Sequence, residues 1–309
     1  CWLAFVPNTN YANCHTFVPK SNYARDKNNH MIPIDFIDLT LKLRITRVPN
    51  NFVENCNMGK ESLLIFIQSH PSNKTARSSV RSTWANASNS QTIKKRFVRY
   101  YFIVGNGHIS IDELKDEIST YDDIIVIDFL DTYYNLVYKT AFTLAIYNEF
   151  CSSSYMLKVD DDVQFLLDRV YSHLNQYVNH EESLIHCSVV RNGAALRAQS
   201  SKWYIPFYEY NETTFPPYCH GPFYVITKDA ASRMYAATPN FKIIHIEDVL
   251  FTGIFSKFLN ISLVEHKGMY AKDPPNQSKC LPNIAVVHNL KSKATMKSFW
   301  AYLKNCSYF

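Results

Sequence analysis

Three consecutive carboxylates, Asp160-Asp161-Asp162, follow the apolar run Tyr155-Met156-Leu157-Lys158-Val159. The chain has 16 Asp in 309 residues, so chance would give such a triplet roughly 0.04 times. Alternate residues of an extended turn point the same way, so Asp160 and Asp162 can converge on one ligand while Asp161 faces away. Adjacent carboxylates repel unless a cation neutralises them. Mn²⁺, or Mg²⁺ in its place, completed by water and diphosphate oxygens, suits that set. The competing reading is a helix N-cap, with Asp162 opening a helix over 163–177. An EF-hand is excluded, because its glycine and distal glutamate are absent.

Four other places offer chemistry. Arg77 and Arg81 lie one helical turn apart and share a face that can grip phosphate or a pyrimidine edge, or a salt-bridged face. Glu247-Asp248 precede Val249-Leu250-Phe251-Thr252-Gly253; acids there complement a helix dipole or, partly buried, serve as a general base. His288 follows Ile284-Ala285-Val286-Val287, as a ligand or as a hydrogen-bonded structural residue. Lys94-Lys95-Arg96 reads as a solvated charge run.

The elements that must position these groups alternate. Apolar runs at 63–67, 97–104, 124–129 and 155–159 predict strands, and the stretches 75–86, 111–120 and 135–150 predict helices. That alternation implies crossover connections and a mostly parallel sheet, with ligands at the carboxyl ends of its strands. Beyond residue 180 the pattern becomes mixed α+β. Residues 1–60, rich in Asn, Pro and Lys, read as a stem or peripheral segment with one short strand at 39–46, and 61–309 as the main domain.

Apolar residues at 47% and charged residues at 19% describe a globular chain, and 7 glycines exclude a glycine-rich array. Tyr (21) and Phe (20) supply core and stacking surfaces. A net charge of +5 fits an anionic ligand such as a nucleotide diphosphate and falls short of a duplex-DNA binder. Eight cysteines without a CxxC pair predict disulfides rather than a zinc cluster. Six N-x-[ST] sequons, at Asn73, Asn86, Asn211, Asn260, Asn276 and Asn305, exceed the roughly three that composition would give. Both features point to the secretory pathway. No run of 18 apolar residues spans a membrane, and a chain opening on Cys1 reads as a fragment or processed form.

In this order, the motifs resemble the inverting β-1,3-galactosyl- and β-1,3-N-acetylglucosaminyltransferases of glycosyltransferase family 31. The matching stretches are Arg77 to Trp84, Asp122-Asp123-Ile124-Ile125, Asp128 to Leu136 with Lys139-Thr140, and Lys158 to Val163. Lys202-Trp203, Pro216 to Gly221, Glu247-Asp248-Val249 with Gly253, and His288 with Trp300 complete them. The resemblance implies a GT-A fold in a type II Golgi membrane protein whose anchor is missing here. It implies Asp162 as the direct Mn²⁺ ligand, His288 as a second ligand, and Asp160 at the ribose or uracil of a UDP-sugar. It further implies Arg77, Arg81, Lys139, Asp161, Trp203 and Gly221 around the donor, and Asp248 as catalytic base with Glu247 beside it. Cys219 and Glu247 look like the galactosyltransferase branch, so UDP-galactose is the expected donor, UDP-N-acetylglucosamine the alternative, and a glycoprotein or glycolipid glycan the acceptor; no nucleic-acid partner is implied. The sequence departs from the family at Val137, His220 and Pro222, which bears on the sugar pockets. Two other classes compete: a catalytically inactive lumenal chaperone or lectin-like relative, which the intact aspartates oppose, and a glycoside hydrolase pairing acids at 160–162 and 247–248.

Overall fold

The computed structural model describes residues 45–59, 61–105, 111–176, 182–266, 270–271, 273, 284–290 and 292–306. Strands β1 (Ile45–Arg47), β2 (Leu63–Gln68), β3 (Val98–Gly105), β4 (Ile124–Ile127), β5 (Tyr155–Asp160), β7 (Leu184–Val190), β8 (Tyr218–Thr227) and β9 (Ser262–Glu265) form one sheet. Its order is β1-β4-β3-β2-β5-β8-β7-β9. The four strands β4, β3, β2 and β5 run parallel, whereas β8 is antiparallel to both β5 and β7. The apolar runs are explained by this placement: every residue of β2 and of β4 is buried, as befits strands covered on both faces. The result is the α/β arrangement expected of the GT-A type, a mostly parallel sheet followed by a mixed C-terminal half.

Helices α1 (Phe52–Cys56), α2 (Lys74–Ser82), α3 (Gln91–Lys94), α4 (Ile111–Tyr121) and α5 (Leu136–Phe150) alternate with the parallel strands. Next come α6 (Leu167–Leu174), α7 (Lys228–Ala237), a π-helix over Val249–Ile254, α8 (Phe255–Leu259) and α9 (Lys293–Cys306). Most of the 39–46 stretch lies outside the described residues. Residues 45–56 are integral to the domain rather than peripheral: β1 pairs antiparallel with β4, and Cys56 is disulfide-bonded to Cys151. A second bond joins Cys187 to Cys219, and Cys306 is disulfide-bonded as well. No described helix is long and apolar enough to cross a membrane.

A smaller sheet, β10 (Tyr270–Ala271), β11 (Val286–Val287) and β6 (Gln164–Phe165), lies after the parallel half. It brings the C-terminal segment back to the end of β5, with Val287 opposite Gln164. Trp84 locks the two halves: its ring packs 4.4 Å from Phe165, and its indole N–H donates to the Val163 carbonyl at 3.3 Å.

Three histidines join α6, β7 and the end of β9. The ring nitrogens of His173 and His266 are 2.8 Å apart, and those of His186 and His266 are 3.0 Å apart. Burial, then the neighbouring rings, lowers His186 to about 3 and His266 to about 4. Unfolded, both would titrate near about 6.5. Between that pH and about 4 the unfolded chain therefore binds more protons, so stability is lost as pH falls through that window. Thermal melts are expected to drop by on the order of 5 °C from about pH 7.5 to about pH 5. The His186→Asn variant should show a shallower slope, and a pH-independent midpoint would refute this account.

Candidate active site

Two strand ends place the aspartates against a histidine. Asp160 closes β5, a turn carries Asp161 and Asp162, and β6 begins at Gln164. Because β11 runs antiparallel to β6, with Val287 opposite Gln164, His288 emerges beside the Asp motif, and the Leu290 amide donates to the Asp162 carbonyl at 3.2 Å. Asp160, Asp162 and His288 each offer a ligand atom, all within 4.8 Å of one another. His288 Nε2 lies 3.4 Å from Asp162 Oδ1, while its Nδ1 is buried without a hydrogen-bond partner among the described residues. Two carboxylates with one imidazole fit Mn²⁺ better than Mg²⁺ or Ca²⁺, which favour oxygen alone. Asp162 is not a helix cap, since α6 starts at Leu167 with Leu166 at its N-cap.

Asp161 turns the other way. It is buried, accepting from Ser69 Oγ at 2.7 Å and Asn73 Nδ2 at 3.1 Å, and burial pushes its carboxyl up to about 6. Its expected place beside the donor therefore becomes one behind the site, tying the Asp motif to the loop after β2.

The arginines and Lys139 stand behind it too. Arg77 is 0% exposed; its guanidinium donates to both Glu117 oxygens at 2.8 Å, to Ser69 Oγ and to the carbonyls of His70 and Pro71. Arg81 pairs with Glu117 at 2.6 Å and with Asp123 at 2.7 Å. Lys139 donates to the Ser69 carbonyl at 2.7 Å and pairs with Asp131 at 2.6 Å; burial nonetheless lowers its pKa, Asp131 opposing. These three side chains line none of the cavity described below. Arg77 and Lys139 brace the loop after β2 at residues 69–71, and Arg81 backs Arg77 through the shared Glu117.

The cavity, about 360 Å³, opens along the carboxyl end of β5 and the start of β8. Asp160, His288, Lys158, Gly221, Glu247, Asp248 and Trp203 all line it. Asp248 caps the π-helix, accepting from the Val249 amide at 2.9 Å, and takes the Gly221 amide at 3.1 Å. A Cβ at Gly221 would stand 3.0 Å from Asp248 Oδ2, so any larger residue there would push on the carboxylate. Burial, reinforced by Glu247, pushes the Asp248 carboxyl up to about 7, against the pull of the Val249 amide, Lys158 and the Gly221 amide. A carboxylate poised there is suited to general-base work. The π-turn, a geometry frequent at functional sites, is held by Thr252 Oγ1, which donates to the Asp248 carbonyl and accepts from the Cys219 amide.

Lys158 and Glu247 form the floor. The fully buried Lys158 ammonium lies 2.6 Å from Asp160 Oδ1, 2.7 Å from the Gly221 carbonyl and 3.7 Å from Glu247. Burial alone would lower its pKa; Asp160 and Glu247 outweigh that and hold it above the ordinary lysine value. Glu247, expected beside the catalytic base, is buried and accepts from Thr140 Oγ1 at 2.7 Å and from the Tyr224 hydroxyl. Sequence reasoning missed Lys158, Glu117 and Tyr224 as members of this assembly. A lysine inside an apolar strand was the available signal for the first, since a buried ammonium must be paired. Among the departures from the family, His220 and Pro222 line the cavity, while Val137 is a core residue of α5.

A mostly parallel sheet that ends in an Asp motif, with Asp160 and the buried Asp248 carboxylate lining one cavity, offers the groups that a glycosyl transfer needs. The chain belongs to the galactosyltransferase family, whose sequence model matches residues 75–267; this is the family 31 that its motifs resemble, and the protein is a hexosyltransferase. It is 31% identical over 269 residues to human UDP-GalNAc:beta-1,3-N-acetylgalactosaminyltransferase 1, covering 82% of this chain and 78% of that one. It is 29% identical over 221 residues to mouse beta-1,3-galactosyltransferase 1, covering 71% and 67%. Among solved structures, a glycosyltransferase involved in glycosylation of the major capsid of PBCV-1 aligns over 78% of this chain and 98% of its own, with 11% identity and a TM-score of 0.41.

Proposed function

We propose that this protein is an inverting, divalent-metal-dependent β-1,3-galactosyltransferase that uses UDP-galactose and acts on a glycan hydroxyl in the Golgi lumen. The observation that carries the reading is the cavity itself, which Asp160 and His288 of the candidate ion site line together with Asp248. Asp162 and His288 would hold the ion, with Asp160 completing the set or meeting the nucleotide. A bound Mn²⁺ supplies positive charge to the diphosphate as it leaves. Asp248 accepts the proton of the acceptor hydroxyl, which attacks the anomeric carbon from the face opposite the diphosphate, so an α-linked donor gives a β-linked product. Lys158 keeps Asp160 and the Gly221 carbonyl in place, and Glu247 fixes Lys158 and Tyr224. The Gly221 amide orients the base.

The relative at 31% identity is named for a different donor, UDP-N-acetylgalactosamine. A panel of UDP-galactose, UDP-N-acetylgalactosamine and UDP-N-acetylglucosamine, each with Mn²⁺, Mg²⁺ or EDTA, separates these by the UDP released as the sugar passes to a mixed glycan acceptor. UDP-galactose with Mn²⁺ is expected to turn over fastest and EDTA to abolish turnover. A faster N-acetylhexosamine donor would overturn the donor assignment, and turnover in EDTA would overturn the metal assignment.

A further inference from the structure

Two aromatic groups border the cavity that Asp160 and Asp248 share. In one, His220 stacks on Tyr270 with ring centroids 5.5 Å apart. The other is made of Tyr133, Lys202 and Trp203. Burial pushes the Tyr133 hydroxyl up to about 12, with Asp248 the foremost charge acting on it, ahead of Glu247 and Asp160. The loop that carries Trp203 is anchored beside the base by two contacts. Its ends are bridged between Ala194 and Thr214, with the Phe215 amide donating to the Gly193 carbonyl at 2.8 Å. Tyr218, which follows the loop, packs so tightly on Gly193 and on Gly253 of the π-helix that a Cβ at either glycine would meet it at 2.7 Å or 3.0 Å.

Trp203 is 46% exposed and Tyr133 45% exposed, among nine large apolar side chains left open on the described surface. The Lys202 ammonium sits 4.5 Å from the Trp203 ring centre and 5.4 Å from that of Tyr133, a cation–π clamp that holds both rings toward the cavity. An aromatic face left in water beside a polar, carboxylate-bearing cleft matches the chemistry of a pyranose, whose axial C–H face is apolar and whose rim is polar.

Resting on the transferase reading above, the geometry points to Trp203 and Tyr133 as an acceptor subsite that holds the sugar preceding the reacting one, so that the acceptor is an oligosaccharide of at least two residues and Trp203 serves the acceptor rather than the donor. The base must meet the acceptor hydroxyl, so rings that flank Asp248 reach the sugar attached to that hydroxyl. The nucleotide, by contrast, lies with the aspartates and His288.

Two probe pairs test this: galactose against lactose, and N-acetylglucosamine against chitobiose. In the wild type at least one disaccharide is expected to exceed its monosaccharide in kcat/KM by roughly tenfold, the worth of one good aromatic contact. Trp203→Ala should bring that ratio toward one and Trp203→Phe should retain most of it, while the Kd for UDP in Mn²⁺ stays unchanged in both. Equal use of both members of each pair, a ratio untouched by Trp203→Ala, or weakened UDP binding in that variant would overturn the assignment. Saturation-transfer NMR of the same disaccharides keeps the two readings apart. If no UDP-sugar supports transfer, the transferase reading falls, and disaccharide signals lost or kept in Trp203→Ala still decide the subsite.

Discussion

Asp248→Asn is expected to lower kcat by about 10²–10⁴-fold, the usual worth of a positioned general base, while UDP and Mn²⁺ bind with near wild-type affinity. The amide keeps the shape of the carboxyl and one oxygen to accept from Gly221 or Val249, but cannot take a proton. The pH profile gives a second, independent reading. Asp248 must be ionised to act and its pKa is pushed up to about 7, so wild-type kcat should rise with pH through that value and the residual rate of the variant should lack this limb. Stability moves oppositely: unfolded, the group would ionise near about 3.9. Above pH 7 the fold must therefore carry a charge that burial disfavours. The variant should melt no lower than wild type at about pH 8, as expected when a functional group is held at a cost to the fold. Rapid transfer by Asp248→Asn, or coupled loss of UDP binding, would remove it from the role of base.

Glu117→Ala carries the largest expected effect on the fold. Glu117 is buried and accepts three guanidinium hydrogen bonds, two from Arg77 and one from Arg81. Burial alone would raise its pKa, yet the bonds from Arg77 and Arg81 outweigh that and hold it below the usual carboxylate range. Removing one partner from a buried ion network leaves uncompensated charge, at a cost of about 3–5 kcal/mol. Chemical denaturation should register that loss in the midpoint with the slope unchanged. Arg77 also fixes Ser69, the partner of Asp161, so metal affinity should weaken even where the variant remains folded. A change below about 1 kcal/mol would mean that water relieves the network.

The parallel half of the sheet was legible because central strands of this kind are apolar on both faces and announce themselves as short continuous runs: 63–67, 97–104 and 155–159 each fall on a strand. The Asp motif was legible from its rarity and from its place after such a run. Arg77 and Arg81 show where spacing stops being informative. One-turn spacing says that two side chains share a face, but only the fold reveals whether that face meets solvent or the acids of another helix, here Glu117 of α4. Lys139 shows the same limit. Its partner Asp131 and the Ser69 carbonyl are set by tertiary packing, and no local pattern encodes them. The π-turn after Asp248 also escapes periodicity, because six residues of Val249–Ile254 are too few to separate a wider helical pitch from the ordinary one.

The candidate ion site is split along the chain: Asp160 and Asp162 belong to the middle of the sequence, whereas His288 reaches them through the pairing of β11 with β6, buttressed by α9 against α2 and β6. A nascent chain released up to β9 would already own its aspartates and its parallel sheet, yet lack the imidazole that completes the coordination sphere. On the proposed metal assignment, uptake of manganese would report that β11 has paired with β6 and that α9 has docked, making the ion a gauge of how completely this domain has folded.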